Sequence, residues 1–219
     1  MTASLRSLHR LFSSSFVLGG SPCSGKSTLA ERLARDFGLP YYKVDDYQGQ
    51  HLERADPDNH PTMTAYANMT WDQIWLSPVD RQVEDLFTFY TERFSMIHED
   101  LVAYAGQEAI IMEGAAFLPS LIYAWGVQPR NALFLVPTKQ FQLKHYSQRP
   151  WVEQILAACQ NPQQAFANWM DRDHRFGLEI MQQAQDYVYQ TVIVDGKTNI
   201  DAQYTRLIDH FQLSEGRWN

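Results

Sequence analysis

The chain has 219 residues, of which 45% are hydrophobic and 20% charged, and its formal net charge is −7. This composition indicates a globular domain with a full core and excludes a disordered chain. The acidic balance argues against a general binding surface for nucleic acid or for an anionic membrane. Because two cysteines are too few for a disulfide framework and no apolar run approaches 18 residues, a cytoplasmic protein without membrane spans is expected.

Residues 1–15 contain Arg6, Arg10 and five serines but no acidic residue. Organellar transit peptides share this composition. The other interpretation is a short leading segment before the first strand. We favour the leading segment, because a match in composition alone is a weak signal.

Residues 20–28 fit the pattern G-x-x-x-x-G-K-[ST], the phosphate-binding loop of P-loop nucleotidases. A short apolar strand is predicted before it, at 16–18, and an amphipathic helix after it, at 28–37. In such a loop the lysine reaches the β and γ phosphates, and the following serine hydroxyl ligates Mg²⁺. The expected nucleotide-binding residues are therefore Gly20, Ser21, Pro22, Cys23, Ser24, Gly25, Lys26, Ser27 and Thr28.

A second strand is predicted at 40–44, and Asp45 and Asp46 follow it directly. Open α/β sheets bind ligands at the carboxyl ends of their strands. One carboxylate can face a metal, and the other can orient or deprotonate an acceptor hydroxyl. We expect Asp45 on the acceptor side, although it is also a candidate metal ligand. The alternative interpretation is an ordinary solvated turn.

Residues 48–106 depart from the strand–helix alternation. A polar loop is predicted at 51–61, a short helix capped by Thr70, and a long amphipathic helix after Pro78. Arg81 and Arg93 are expected to be surface charges, with contact to a substrate anion as the alternative. The spacing of the histidines does not predict a metal site. We expect the aromatic residues of this segment to pack in the core, although they would also suit a planar ligand. These residues are Tyr47, Tyr66, Trp71 and Trp75.

A third strand at 109–112 ends at Glu113, where an acidic residue can support Mg²⁺. A helical segment from 115 to 122 should follow. The remaining pattern predicts strands at 131–137 and 191–194 and helices at 140–147, 151–159, 162–189 and 200–211. Strands that alternate with helices in this way predict a parallel sheet covered on both faces.

With these motifs the chain resembles the P-loop small-molecule kinases, a group that includes shikimate, gluconate, adenylate and nucleoside kinases and chloramphenicol phosphotransferase. The resemblance implies a three-layer P-loop nucleoside-triphosphate hydrolase fold with a five-stranded parallel sheet. It implies one domain over 1–219, with a core at 16–48 and 106–213 and a helical acceptor-binding insertion at 49–105. It also implies catalytic roles for Lys26, Asp45 and Asp46, metal contacts from Ser27, Asp45 and Glu113, and lid arginines among Arg149, Arg172 and Arg175.

The expected activity is Mg²⁺-assisted transfer of the γ-phosphoryl group of ATP to a small acceptor. A hydroxyl acceptor is favoured over a phosphate, because only a hydroxyl benefits from a general base. A nucleotide-monophosphate-type kinase, a P-loop switch and an ATP-binding module without turnover stay open as alternatives. The guanine-specific string Asn-Lys-x-Asp is absent from the sequence. Neither the acceptor nor the choice between monomer and homodimer follows from the sequence.

Overall fold

The computed structural model describes residues 3–213, with side chains from residue 8 onward. Within that range five strands form one sheet, in the order β2-β3-β1-β4-β5. All neighbouring strands are parallel, with Leu18 opposite Glu113 on one side and Leu133 on the other. Their carboxyl ends therefore meet at one edge. The strands are β1 (Phe16–Gly20), β2 (Tyr41–Lys43), β3 (Ile111–Glu113), β4 (Ala132–Pro137) and β5 (Gln190–Val194).

Helices connect and cover these strands. None of the described helices is long and apolar enough to cross a membrane. Short 3₁₀ turns occupy Val44–Tyr47, Val102–Tyr104 and Pro129–Asn131. The helices are α1 (Ala3–Ser14), α2 (Lys26–Phe37), α3 (Gln48–Arg54), α4 (Pro61–Ala67), α5 (Trp71–Trp75), α6 (Val79–Leu101), α7 (Pro119–Ala124), α8 (Lys139–Tyr146), α9 (Pro150–Ala157), α10 (Pro162–Asp186) and α11 (Ile200–Phe211).

The sheet separates two hydrophobic cores. On one face, residues of α2 and α11 such as Leu33 and Leu207 pack against Leu18 of β1. On the other face, α1, α6, α7 and α10 contribute a core that includes Ile97 and Phe176. Strands buried on both faces must be apolar throughout, which explains the continuous hydrophobic runs in the sequence. The prediction of a three-layer α/β fold with a five-stranded parallel sheet is confirmed.

The short leading segment expected before the first strand contains a helix, α1, at residues 3–14. Leu8, Leu11 and Phe12 lie on one side of it and are buried in the core. The ring of Phe12 stacks on Trp125 with centroids 4.4 Å apart. Spacings of three and four residues place such side chains on one helical face, so this segment is part of the folded core. Residues 1–2 and the side chain of Arg6 lie outside the described part.

Two other segments differ from the predicted elements. The predicted loop at 51–61 begins in α3, where His51 is completely buried among polar partners. Residues 115–118 are not helical, and α7 begins only at Pro119. Gly114 precedes this stretch with φ +146°, and a Cβ there would lie 2.1 Å from Val44 Cγ1. Tight packing at the end of β3 therefore delays the helix.

Candidate functional site

The loop between β1 and α2 has the curled backbone that a phosphate-binding loop requires. Gly20 has φ +116°, and a Cβ at this position would lie 2.1 Å from the carbonyl oxygen of Leu135. Gly25 caps α2 at φ +82°, and Cys23 adopts φ +64° despite its side chain. The Ser24 hydroxyl donates to the carbonyl of Ser21 across the turn, at 3.0 Å. Left-handed residues of this kind turn successive N–H groups inward, towards an anion.

Lys26 is the first residue of α2 and lies against the loop that precedes it. Its side chain is only 6% exposed. The ammonium donates to the Ser21 carbonyl at 2.7 Å and to the Ser24 hydroxyl at 3.3 Å. Burial lowers the pKa of Lys26, and the nearby Glu113 and Asp45 carboxylates oppose that shift. A largely desolvated ammonium beside the loop is placed to bind a phosphate strongly.

Glu113 ends β3 beside the start of α2. It is 1% exposed and accepts a hydrogen bond from the Tyr41 hydroxyl at 3.1 Å. Burial raises the pKa of Glu113, while Lys26 and a hydrogen bond from Ser27 oppose the rise. A cation bound beside Glu113 and the Ser27 hydroxyl would therefore favour the ionised form of the Glu113 carboxylate.

The residues at the carboxyl edge of the sheet suit Mg²⁺, which needs few protein ligands. They suit less well a metal whose ligands are all protein side chains. The described part of the chain has no cluster of three or more His, Cys, Asp or Glu side chains that could hold a metal ion. Mg²⁺ usually takes one or two carboxylates and completes its octahedron with water and substrate phosphates. Ser27, Glu113 and Asp45 supply a donor set of this kind.

Asp45 and Asp46 follow β2 but have different surroundings. Asp45 Oδ1 lies 3.8 Å from the position of a Cβ on Gly114, beside the end of β3. The Asp45 carboxylate also raises the pKa of Lys26. Asp46 forms an ion pair with Lys43 at 3.6 Å, and its side chain is 65% exposed. Only Asp45 therefore faces the phosphate-binding loop.

The three candidate lid arginines occupy three different places. Arg149 lies beside the loop, with Nη2 3.7 Å from Cys23 Sγ, and has no carboxylate within ion-pair distance among the described residues. Arg172 is held by Asp173 through two hydrogen bonds, the shorter of 2.6 Å. Arg175 is half-exposed and forms ion pairs with Asp80 and Asp171. Of the three arginines, Arg149 is the one whose guanidinium contacts a side chain of the loop.

Asp173 is a site residue that sequence analysis did not identify. Its carboxylate is completely buried and accepts hydrogen bonds from Arg172 and from the Tyr146 hydroxyl at 3.0 Å. Its backbone carbonyl accepts from the Ser21 hydroxyl at 2.9 Å. In this way α10 is joined directly to the phosphate-binding loop. Its sequence context, an alternating acidic and basic run in a long helix, is equally typical of a solvated surface.

The thiol of Cys23 lies in the loop shortly before the first turn of α2. Burial is the largest influence and raises the pKa of Cys23, while Arg149 and Lys26 oppose the rise. The side chain is half-buried and packs against the apolar cluster that contains Trp75 and Trp169. Desolvation of the thiolate therefore outweighs the favourable dipole and cations.

A cavity of about 360 Å³ lies between α4, α5 and α6 of the 49–105 segment and α9 and α10. Three of the four aromatic residues considered from the sequence line it, whereas Tyr47 stacks on Tyr42 with centroids 4.7 Å apart. Arg81 also lines the cavity and pairs with Asp85 at 3.4 Å. The aromatic side chains of the wall are Tyr66, Trp71, Trp75, Phe89, Tyr90, Trp151 and Trp169.

Arg93 does not lie on the surface, contrary to the expectation from sequence. Its side chain is completely buried, and its guanidinium donates to His51 Nδ1 and to the carbonyl of Val44. The carbonyl belongs to the residue that precedes Asp45. A buried arginine needs such partners because an uncompensated charge in the interior is very unfavourable.

Comparison with known proteins gives structural likeness only. No protein-family model matches this chain, and no curated protein sequence matches it. A gluconokinase from Sinorhizobium meliloti 1021 is 18% identical with a TM-score of 0.47, over 93% of this chain and 94% of that one. An uncharacterized protein from Eubacterium ventriosum ATCC 27560 is 14% identical with a TM-score of 0.46, over 91% and 98%. The NadR protein in complex with NR is 16% identical with a TM-score of 0.45, over 97% of this chain and 55% of that one.

At such identities and scores the likeness carries no information about substrate.

Proposed function

We propose that the protein is an ATP-dependent kinase that transfers the γ-phosphoryl group to a hydroxyl of a small molecule. The observation that carries this proposal is the convergence of Lys26, Glu113 and Asp45 at one edge of the sheet. A cavity large enough for a small molecule adjoins this edge, because Cys23 of the loop packs against the aromatic cluster of the cavity wall. The segment 49–105 would then hold the acceptor.

Each residue has a role that its surroundings support. The loop N–H groups and Lys26 would bind the β and γ phosphates and neutralise charge as it shifts to the leaving group. Ser27 and Glu113 would hold Mg²⁺, which supplies further charge neutralisation when bound. Arg149, free of a carboxylate partner within the described residues, would meet the transferred group. Phosphoryl transfer needs mainly this positioning and electrostatic stabilisation.

Asp45 would orient the acceptor hydroxyl and accept its proton. Its carboxylate lies at the carboxyl end of β2 and near Lys26, where donor and acceptor must meet. A phosphate acceptor already carries an ionised oxygen and gains nothing from such a base. This asymmetry favours a hydroxyl acceptor over the nucleotide-monophosphate alternative.

The test is ATP consumption with and without a pool of metabolites. A kinase should consume ATP much faster when a metabolite extract is added, and mass analysis should reveal one product that is heavier by one phosphoryl group. Asp45→Asn should lower the formation of that product by roughly 10²–10⁴-fold while ATP still binds. Equal ATP consumption with and without the extract would contradict the proposal and favour a switch without an acceptor.

A further inference from the structure

We infer that the acceptor is a neutral molecule with a planar ring and a free hydroxyl, bound in the aromatic cavity between the 49–105 segment and helices α9 and α10. This inference rests on the proposed function and specifies its substrate class. Three properties of the cavity support it, namely its rings, its charge and its position relative to Asp45.

The first property is the aromatic wall. Trp75 and Trp169 stack on one another with centroids 4.0 Å apart and an interplanar angle of 15°. Trp151 lies against Trp169 at 5.7 Å, and Tyr66 meets Phe89 edge to face at 5.2 Å. Rings arranged in this way offer flat apolar faces and edges, to which another ring binds in an offset or edge-on position. A planar ligand can therefore pack against the more exposed rings of the wall, Trp71 and Trp151, which are 39% and 43% exposed.

Two amide side chains of the wall are already engaged with the protein. Gln82 donates its amide to the carbonyls of Trp75 and Ser77, at 3.3 and 2.8 Å. Gln73 closes the capping box of α5 with Thr70. A sugar acceptor would need a hydrogen-bond partner for each of its hydroxyls, because a buried hydroxyl without one is strongly unfavourable. The engaged side chains do not supply them.

Three buried polar atoms of the wall have no hydrogen-bond partner in the described part of the chain. They are the indole Nε1 atoms of Trp75 and Trp169 and Oε1 of Gln82. Unsatisfied buried groups are rare in folded proteins, and each of these three belongs to a residue of the cavity wall.

The second property is the balance of charge. The charged residues among those lining the cavity are Arg81, Asp85 and Arg172. Arg81 pairs with Asp85, and Arg172 pairs with the buried Asp173 at 2.6 Å. The Arg172 guanidinium also lies over the ring of Trp75, 4.5 Å from its centroid. Each cation therefore already has an anionic partner, and an acceptor phosphate would enter the cavity without a free counter-charge.

The third property is the position of the cavity close to Asp45 and to the phosphate-binding loop. Gln48 lines the cavity three residues after Asp45 and accepts a hydrogen bond from Arg93, which also donates to the carbonyl of Val44. Arg172 lines the same wall, and its partner Asp173 accepts a hydrogen bond from Ser21 of the loop through its backbone. A ring held by the tryptophans can thus present its hydroxyl to Asp45.

The inference is tested with Trp71→Leu, because Trp71 lines the cavity yet is 39% exposed, so its loss should not unfold the protein. Tyr123→Leu is the matched control, since Tyr123 is an aromatic residue that is 56% exposed and does not line the cavity. We expect the phosphorylated product from a metabolite extract to contain a planar ring. For that acceptor, Trp71→Leu should raise KM about tenfold with the Kd for ATP unchanged. Tyr123→Leu should change neither.

A binding measurement without ATP separates this inference from the proposed function. Thymidine, 4-hydroxybenzyl alcohol, glucose and thymidine monophosphate are compared by quenching of tryptophan fluorescence. We expect saturable binding of at least one neutral ring compound, weaker in Trp71→Leu, and no binding of glucose or of the monophosphate. Transfer to a sugar or to a phosphate would overturn the inference and leave the kinase function intact. Ring binding without any phosphoryl transfer would overturn the kinase function and leave the ligand class intact. The inference would be overturned if no ring compound bound and Trp71→Leu had no effect.

Discussion

The guanidinium Nε of Arg93 donates a hydrogen bond to Nδ1 of His51 at 2.8 Å, and both side chains are completely buried. An acceptor at Nδ1 places the imidazole proton on Nε2, which donates to Asp100 at 2.7 Å. Arg93 also donates to the carbonyl of Val44, immediately before Asp45. A neutral His51 therefore supports the segment that carries the proposed general base.

This arrangement predicts how stability depends on pH. Burial lowers the pKa of His51 below its ordinary value of 6.5, with Asp100 opposing the shift. The unfolded chain then binds the proton more readily than the folded one. The contribution of His51 is fully present above about pH 6.5 and is lost as the pH falls below it, so the free energy of unfolding should decrease towards acid.

His51→Gln should make this decrease shallower, because the titrating group is gone. The measurement is urea unfolding between pH 7.5 and 5.5, compared with His9→Gln, at an exposed position, as the control. The variant should also be less stable at neutral pH, by about 1–3 kcal/mol, since Arg93 loses a buried partner. An identical pH slope in wild type and His51→Gln would contradict the neutral state of His51.

Lys26→Ala should lower phosphoryl transfer by roughly 10²–10³-fold or more, the scale of one preorganised charge contact. The fold should persist, because the lysine contacts the loop and the site rather than either hydrophobic core. Acceptor-dependent ATP consumption and the melting temperature are the two measurements. Lys43→Ala, which removes ion pairs with the exposed Asp46 and Glu31, is the control and should remain active. Undiminished turnover in folded Lys26→Ala protein would overturn the proposed function.

Asp45→Asn and Asp46→Asn form a matched pair, because the two carboxylates are adjacent but only Asp45 faces the loop. Transfer should fall by roughly 10²–10⁴-fold in Asp45→Asn, the usual contribution of general acid–base catalysis. Asp46→Asn should stay within a few-fold of wild type. The Kd for ATP should change little in both. Equal, mild losses would mean that neither carboxylate touches the acceptor.

Cys23 should react slowly with iodoacetamide at neutral pH, since burial raises the pKa of its thiol. The rate should increase as the pH rises and more thiolate forms. Saturating Mg-ATP should protect the residue, because the thiol lies on the phosphate-binding loop beside Arg149. Labelling followed by peptide mass analysis distinguishes it from the buried Cys159. An equal labelling rate with and without Mg-ATP would mean that the side chain points away from the bound nucleotide.

The sequence alone predicted the parts of this protein that local chemistry determines. The Gly-rich loop requires left-handed residues at Gly20 and Gly25, and both adopt them. Runs of apolar and β-branched residues predicted the five strands, and spacings of three and four predicted the long helices α6 and α10. Thr70 caps the N-terminus of α5, as its residue type and position predicted. In each case the deciding interactions lie within a few residues along the chain.

The tertiary structure decided which charged side chains face the site. Arg93 and Arg172 are ordinary helix residues in sequence, yet one supports the Asp45 turn from the interior and the other lies in the wall of the cavity beside Asp173. Asp45 and Asp46 are equivalent by residue type, and only the end of β3 and the salt bridge to Lys43 distinguish them. The burial of Arg93 and the position of Asp45 beside Gly114 depend on residues tens of positions away, so no local pattern encodes them. The aromatic cavity likewise exists only where α5 and α6 meet α9 and α10.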